Sequence, residues 1–121
     1  MYLIDTNIII YSSKPEFAYL RPLVLDTDNS VSIISKVETL GFRRITPEEI
    51  LYFNSIFNLL KNYSVNNAVI DRAISLRQMI RIPLGDSLIA ATALEYELEL
   101  ITRNTSDFED IPELVVTNPM R

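Results

Sequence analysis

The chain has 121 residues and a formal net charge of −5, which suits one ordinary domain and gives no global basic footprint for a polyanion. It contains neither cysteine nor histidine, which excludes disulfide frameworks, thiolate nucleophiles, Ser-His-Asp and Cys-His catalysis, and zinc held by those residues. Two glycines, Gly41 and Gly85, cannot build a G-x-G-x-x-G or Walker A loop, so any chemistry must run on carboxylates, hydroxyls, amides, Lys, Arg or Tyr.

No basic leader precedes the first apolar segment, and no apolar run approaches the roughly 20 residues needed to span a bilayer. The sequence reads as a soluble, cytoplasmic, single domain over residues 1–121. Tyr2 to Asp5 forms a short buried strand, and Asn7 to about Ser13 either continues it or starts a helix. Glu16 to Leu25 is helical, weakened or kinked by Pro22. Val31 to Ile34 has strand composition, and Ser35-Lys36-Val37-Glu38 has the spacing of a capping box that opens the next helix.

Thr46-Pro47-Glu48-Glu49 is a stronger helix start, with a capping hydroxyl, proline at the first helical position and acids in the first turn. That helix should run to about Leu60, and Ser64 and Val65 suggest a short strand. Val69, Ala73, Leu76 and Ile80 then mark a helical stripe. Asp86 opens a central helix that is apolar nearly all round, and Leu98 to Thr102 and Leu114 to Thr117 are the last strands.

Alternating short strands and helices indicate an α/β domain with a mainly parallel sheet. Such sheets bind ligands beyond the carboxyl ends of their strands, which draws attention to Asp5, Glu38, Asp86 and the turn from Asn104 to Asp107. Each also has a structural explanation: Asp5 as a turn or cap residue, Glu38 as the acid of its capping box, Asp86 as an N-cap, Asp107 in an Asx-turn. Jointly they mean more. If Asp5, Glu38 and Asp86 converge within ~4 Å, each like-charge pair costs roughly 4 kcal/mol at an effective dielectric of 20, so the cluster requires protonation or a cation.

An all-oxygen donor set suits Mg²⁺ or Mn²⁺, and phosphodiester hydrolysis then becomes possible without histidine. A phosphatase of the haloacid-dehalogenase type would need Asp-x-Asp after the first strand. Here the third position is Asn7.

The stretches LIDTNIII with Asp5, SKVETLGF with Glu38, GDSLIAATAL with Asp86, and LITRNTSDF with Asn104 and Asp107 resemble the PIN domains, and among them the VapC-like toxin ribonucleases. Four blocks in register over essentially the whole chain carry the resemblance. It implies a three-layer α/β/α fold with a mainly parallel five-stranded sheet of order 3-2-1-4-5. It also implies an endoribonuclease dependent on Mg²⁺ or Mn²⁺, a homodimer, and inhibition by a small cognate antitoxin protein.

In that resemblance Asp5, Glu38 and Asp86 are the metal-binding carboxylates, and Thr6 and Thr102 orient them through their hydroxyls. Many relatives carry an acid where this chain has Asn104; Asp107, three residues later, serves instead or stabilises the turn. Asn104 and the acidic surface leave a second reading, a catalytically weak or inactive PIN-like protein-binding module.

RNA must be met by local positive charge, for which Arg43, Arg44, Arg72, Arg77, Arg81 and Arg103 are available. The spacing of Arg72, Arg77 and Arg81 suggests part of one helix face, but Arg103 is the first choice because it adjoins the proposed site. Tyr52, Phe53, Phe57 and Leu60 lie at helical spacing and read as packing residues or an oligomer contact rather than a base-stacking platform. In the resembling family this helical region helps form the antitoxin groove.

Overall fold

The computed structural model describes residues 1–121. Five strands form one sheet: β1 (Tyr2–Ile4), β2 (Ser30–Ser32), β3 (Lys61–Tyr63), β4 (Glu99–Ile101) and β5 (Val116–Thr117). Their order is β3-β2-β1-β4-β5, and every pairing is parallel. Six helices provide the crossovers: α1 (Thr6–Ser12), α2 (Arg21–Val24), α3 (Ile33–Leu40), α4 (Pro47–Leu59), α5 (Asn67–Met79) and α6 (Leu84–Glu95). None is long and apolar enough to cross a membrane.

Alternation along the two central strands sets the layers, because successive strand side chains point to opposite faces. Leu3 and Leu100 pack with Val69, Ala73 and Leu76 of α5 and with Ile89 and Ala90 of α6. Ile4 and Ile101 face the other way, onto Ile8 and Ile9 of α1, Val24 of α2, and Phe53, Ile56 and Phe57 of α4. The result is the expected α/β/α sandwich.

Several boundaries differ from the sequence reading. The ambiguous segment after Asp5 is helix, with Asp5 as its N-cap, accepting from the Thr6 N–H. Pro15–Leu20 is a 3-10 segment with Phe17 off helical geometry, and Arg21–Val24 is a separate short α-helix; proline at the start of each fits its fixed φ.

The strand expected over Val31 to Ile34 ends at Ser32. Ser32 caps α3 by accepting from the Ile34 N–H, so Ser35 is buried inside the helix rather than opening a capping box with Glu38. Thr46 and Glu49 do form the expected reciprocal capping box, and α4 ends at Leu59. The strand placed at Ser64 and Val65 lies instead at Lys61–Tyr63, where β3 pairs with β2 at the sheet edge.

Asn66 caps α5, and α6 starts at Leu84, which puts Asp86 in its first turn rather than at its cap. The α6 terminus closes with a Leu98 N–H to Ala93 carbonyl bond and a Glu97 N–H to Leu94 carbonyl bond. This is a Schellman arrangement, with Glu97 at φ 55° in the position usually given to glycine. It turns the chain directly into β4.

Candidate active site

Sheet order reverses at β1: the chain moves outward to β2 and β3 on one side, then returns to β4 and β5 on the other. Parallel α/β sheets leave a crevice at such a switch point, beyond the carboxyl ends of the strands. Here the crevice has a volume of about 200 Å³ and is lined by Asp5, Thr6, Glu38, Asp86, Asn104 and Asp107, with Asn7, Ile10 and Phe108 completing its walls. A larger hollow of about 710 Å³ opens beside Met1, Glu97 and Glu99, at the amino ends of β1 and β4. Size does not make it the site, because the buried carboxylate lies at the other edge.

Asp5 follows β1 directly and is 6 % exposed. Its Oδ1 accepts from the Thr6 N–H at 2.8 Å and its Oδ2 accepts from the Thr102 hydroxyl at 2.8 Å. Burial pushes its carboxyl from the ordinary 3.8 up to about 6; these two hydrogen bonds oppose the rise, while Asp86 and Glu38 add to it. Thr102 sits at the end of β4, fully buried. Its oxygen also accepts from Asn7 Nδ2 at 3.3 Å and from the Asn104 N–H at 3.1 Å, so with two donors aimed at it the hydroxyl proton is left for Asp5.

Glu38 reaches the crevice from α3. Its Oε1 accepts from the Thr6 hydroxyl at 2.6 Å, and Thr6 Oγ1 lies 2.9 Å from Ser35 Oγ. With Thr6 donating to Glu38, Ser35 is the donor to Thr6. Ser35 and Glu38 are three residues apart and therefore share a helix face, which is how one threonine serves both. A Cβ added at Gly85 would come within 3.1 Å of Glu38 Oε2: the small residue lets the first turn of α6 approach that carboxylate.

Asp86 in that turn has its carboxyl pushed up by burial first, then by Asp107 and Glu38. Asn104 precedes the 3-10 turn after β4 and Asp107 is its last residue; both are exposed at the crevice rim. The acids share a crevice but stand apart within it, and no three of them are grouped closely enough to form a preformed metal cage.

The arginines divide. Arg103 extends over the Tyr11 ring and donates to its hydroxyl. Arg72 is paired with Glu95 of α6 and borders the amino-edge hollow. Because α5 ends at Met79, Arg81 is off the helix, and the continuous face suggested by the Arg72, Arg77 and Arg81 spacing does not form. Arg81 instead borders a hollow with Ser106 and Asp107, while Arg43 and Arg44 lie on the exposed connection between α3 and α4.

Phe53, Phe57 and Leu60 are core residues, as expected, and the Tyr52 hydroxyl donates to Ser12 at 2.7 Å. Asn7 and Ser35 are the site residues that sequence reasoning missed. The available signals were Asn7 beside Asp5 and a serine one helical turn before Glu38.

Comparison with known proteins places the chain in a family. The PIN-domain family matches residues 2–114. The ribonuclease VapC of Rickettsia bellii (strain RML369-C) is 33% identical over 133 residues, covering 98% of this chain and 97% of that protein. Among solved structures, a toxin-antitoxin complex from Klebsiella pneumoniae contains a chain with a TM-score of 0.81 and 30% identity, covering 100% of this chain and 99% of that one. VapBC-1 from nontypeable Haemophilus influenzae gives 0.76 and 26%, covering 97% and 96%. The chain belongs to the PIN-domain family, in its VapC-like branch.

Proposed function

We propose that this protein is a VapC-like toxin: an endoribonuclease that hydrolyses RNA phosphodiester bonds with a carboxylate-held Mg²⁺ or Mn²⁺. The observation that carries the reading is the convergence of Asp5, Glu38 and Asp86 on one switch-point crevice, with a threonine hydroxyl donating to each of the first two. The donor set fits the ion. It is all hard oxygen, and neighbouring carboxylates disfavour ionisation of Asp5 and Asp86, which a cation relieves.

Asp5, Glu38 and Asp86 would hold the ion, with Asn104 or Asp107 as a further oxygen donor from the crevice lining. When bound, it supplies a water of lowered pKa and neutralises charge developing on the phosphoryl oxygen. The Thr102 hydrogen bond favours the ionised form of Asp5 and aims it, Thr6 orients Glu38, and Asn7 fixes the proton direction of Thr102. Arg103 meets a substrate phosphate at the rim.

The resemblance to proteins solved as toxin-antitoxin complexes supports a small cognate antitoxin as partner, and Val37, Phe42 and Leu51, exposed on and beside α3 and α4, offer it an apolar surface. A homodimer is the proposed oligomeric state. Asn104 and the absence of a preformed cage favour a second reading, a catalytically weak or inactive protein-binding module.

Incubating purified protein with RNA and Mn²⁺ beside an Asp5→Asn variant separates the two. Cleavage by the wild type alone supports the nuclease. Equal cleavage by both would point to a contaminant and sink it.

A further inference from the structure

Glu38 is an exposed glutamate on α3, so packing does not hold its side chain over the crevice. One hydrogen bond does: its Oε1 accepts from the Thr6 hydroxyl at 2.6 Å. The same residue holds Asp5, whose Oδ1 accepts from the Thr6 backbone N–H at 2.8 Å. Thr6 therefore ties two of the three proposed ion-holding acids together. It holds Asp5 through a fixed backbone group and Glu38 through a hydroxyl that can rotate.

A threonine hydroxyl carries a single proton. Ser35 Oγ lies 2.9 Å from Thr6 Oγ1, so that proton has two acceptors within reach, Glu38 and Ser35. Burial decides between them. Ser35 is fully buried, and its hydroxyl has Thr6 Oγ1 as its one hydrogen-bond partner. If Thr6 donated to Ser35, the Ser35 proton would be stranded in the core, which is costly, and Glu38 would lose its donor. Donation from Ser35 to Thr6 satisfies both hydroxyls and the carboxylate together.

We propose that Ser35 is a positioning residue for the ion site: by filling the Thr6 acceptor from inside the core, it commits the Thr6 proton to Glu38 and keeps that carboxylate over the crevice. The proposal rests on the ion-binding reading of Asp5, Glu38 and Asp86, and adds to it a residue with no hydrogen bond to any of the three. A long side chain left free to rotate must be ordered when the ion binds, and that lost freedom weakens binding. Ser35 removes much of this cost in advance.

The test is calorimetric Mn²⁺ titration of the wild type, Ser35→Ala, Thr6→Val and the double variant, with urea melts to establish folding. Removing a direct partner of a metal-binding group lowers affinity about 10- to 100-fold, which is the expectation for Thr6→Val. Ser35→Ala, one hydrogen bond further out, should lower it roughly 3- to 10-fold. In the Thr6→Val background the same substitution should change affinity by less than about twofold, because its effect has no other route to Glu38. Thr39→Val removes another buried hydroxyl of α3, one that donates to the Ser35 and Lys36 carbonyls, and should leave affinity within about twofold of wild type. Should Ser35→Ala fail to fold, Ser35→Cys, similar in size and a weak donor, takes its place with the same expectation.

Unchanged affinity in Ser35→Ala or Thr6→Val, an equal loss from Ser35→Ala in both backgrounds, or a comparable loss in Thr39→Val overturns the positioning role, while Mn²⁺ binding by the wild type leaves the ion site standing. A wild type that binds no Mn²⁺ overturns both.

Discussion

The Thr102 hydroxyl donates to Asp5 Oδ2 across 2.8 Å, joining the carboxyl ends of β1 and β4 through residues 97 apart in the chain. Both are buried, so the bond acts in a medium where a hydrogen bond to a charged group contributes about 1.5–3 kcal/mol. Thr102→Val keeps the shape and removes the donor. Mn²⁺ affinity, measured by calorimetry, should fall by roughly 10- to 100-fold, and Thr102→Ser should recover most of it.

The buried Asp5 carboxyl, proposed to hold the ion, costs the fold stability at neutral pH. Its carboxyl titrates near 6 in the fold against 3.8 ordinarily, so between those values the folded state holds more protons than the unfolded state. Stability from this group is therefore complete below about pH 3.8, declines as pH rises to about 6, and is flat above. The loss amounts to about 3 kcal/mol. In EDTA at pH 7.5, Asp5→Asn should be the more stable protein by up to that amount in urea melts, with the advantage shrinking towards pH 4. The same variant should not cleave RNA.

Asn104 and Asp107 supply the two rim positions after β4, and Asp107 acts on Asp86 by like-charge repulsion. Asp107→Asn should lower the Asp86 carboxyl's pKa and weaken Mn²⁺ binding. Asn104→Asp, which adds an acid at the crevice rim, should strengthen Mn²⁺ binding. Titrating both variants identifies which side chain completes the site: an effect of Asp107→Asn below twofold would assign Asp107 to the turn alone.

Glu97 occupies the left-handed position of the α6 terminus, where an L side chain is strained and glycine is not. Glu97→Gly should stabilise the protein by roughly 1 kcal/mol or less in chemical denaturation, relief of ~1–2 kcal/mol of left-handed strain offset by the ~0.4–1 kcal/mol of entropy that glycine adds to the unfolded chain, and leave RNA cleavage unchanged, because Glu97 lies at the opposite edge of the sheet from the crevice.

The sequence revealed what is locally encoded. Thr46, Pro47 and Glu49 make a capping box among themselves, and the alternation of Leu3 with Ile4 and of Leu100 with Ile101 needs no distant information. The misplacements combine a local cap that composition outweighed with a strand fixed by distant pairing. Ser32 ends β2 although Ile33 and Ile34 would extend a strand by composition, because its hydroxyl caps α3. β3 is a polar edge strand, exposed or half-buried throughout, fixed by pairing with β2 rather than by any apolar pattern. Within the site, Asp5, Glu38 and Asp86 stood out as carboxylates after strands or near helix starts. Asn7 and Ser35 did not, because their partners lie 95 and 29 residues away.

The central claim, that Asp5, Glu38 and Asp86 together hold a divalent ion, is tested most directly by calorimetric Mn²⁺ titration of the wild type beside Asp5→Asn and Asp86→Asn. Saturable binding to the wild type and its loss in both variants are the expected result. Binding that survives both substitutions, or no binding to the wild type, would contradict it.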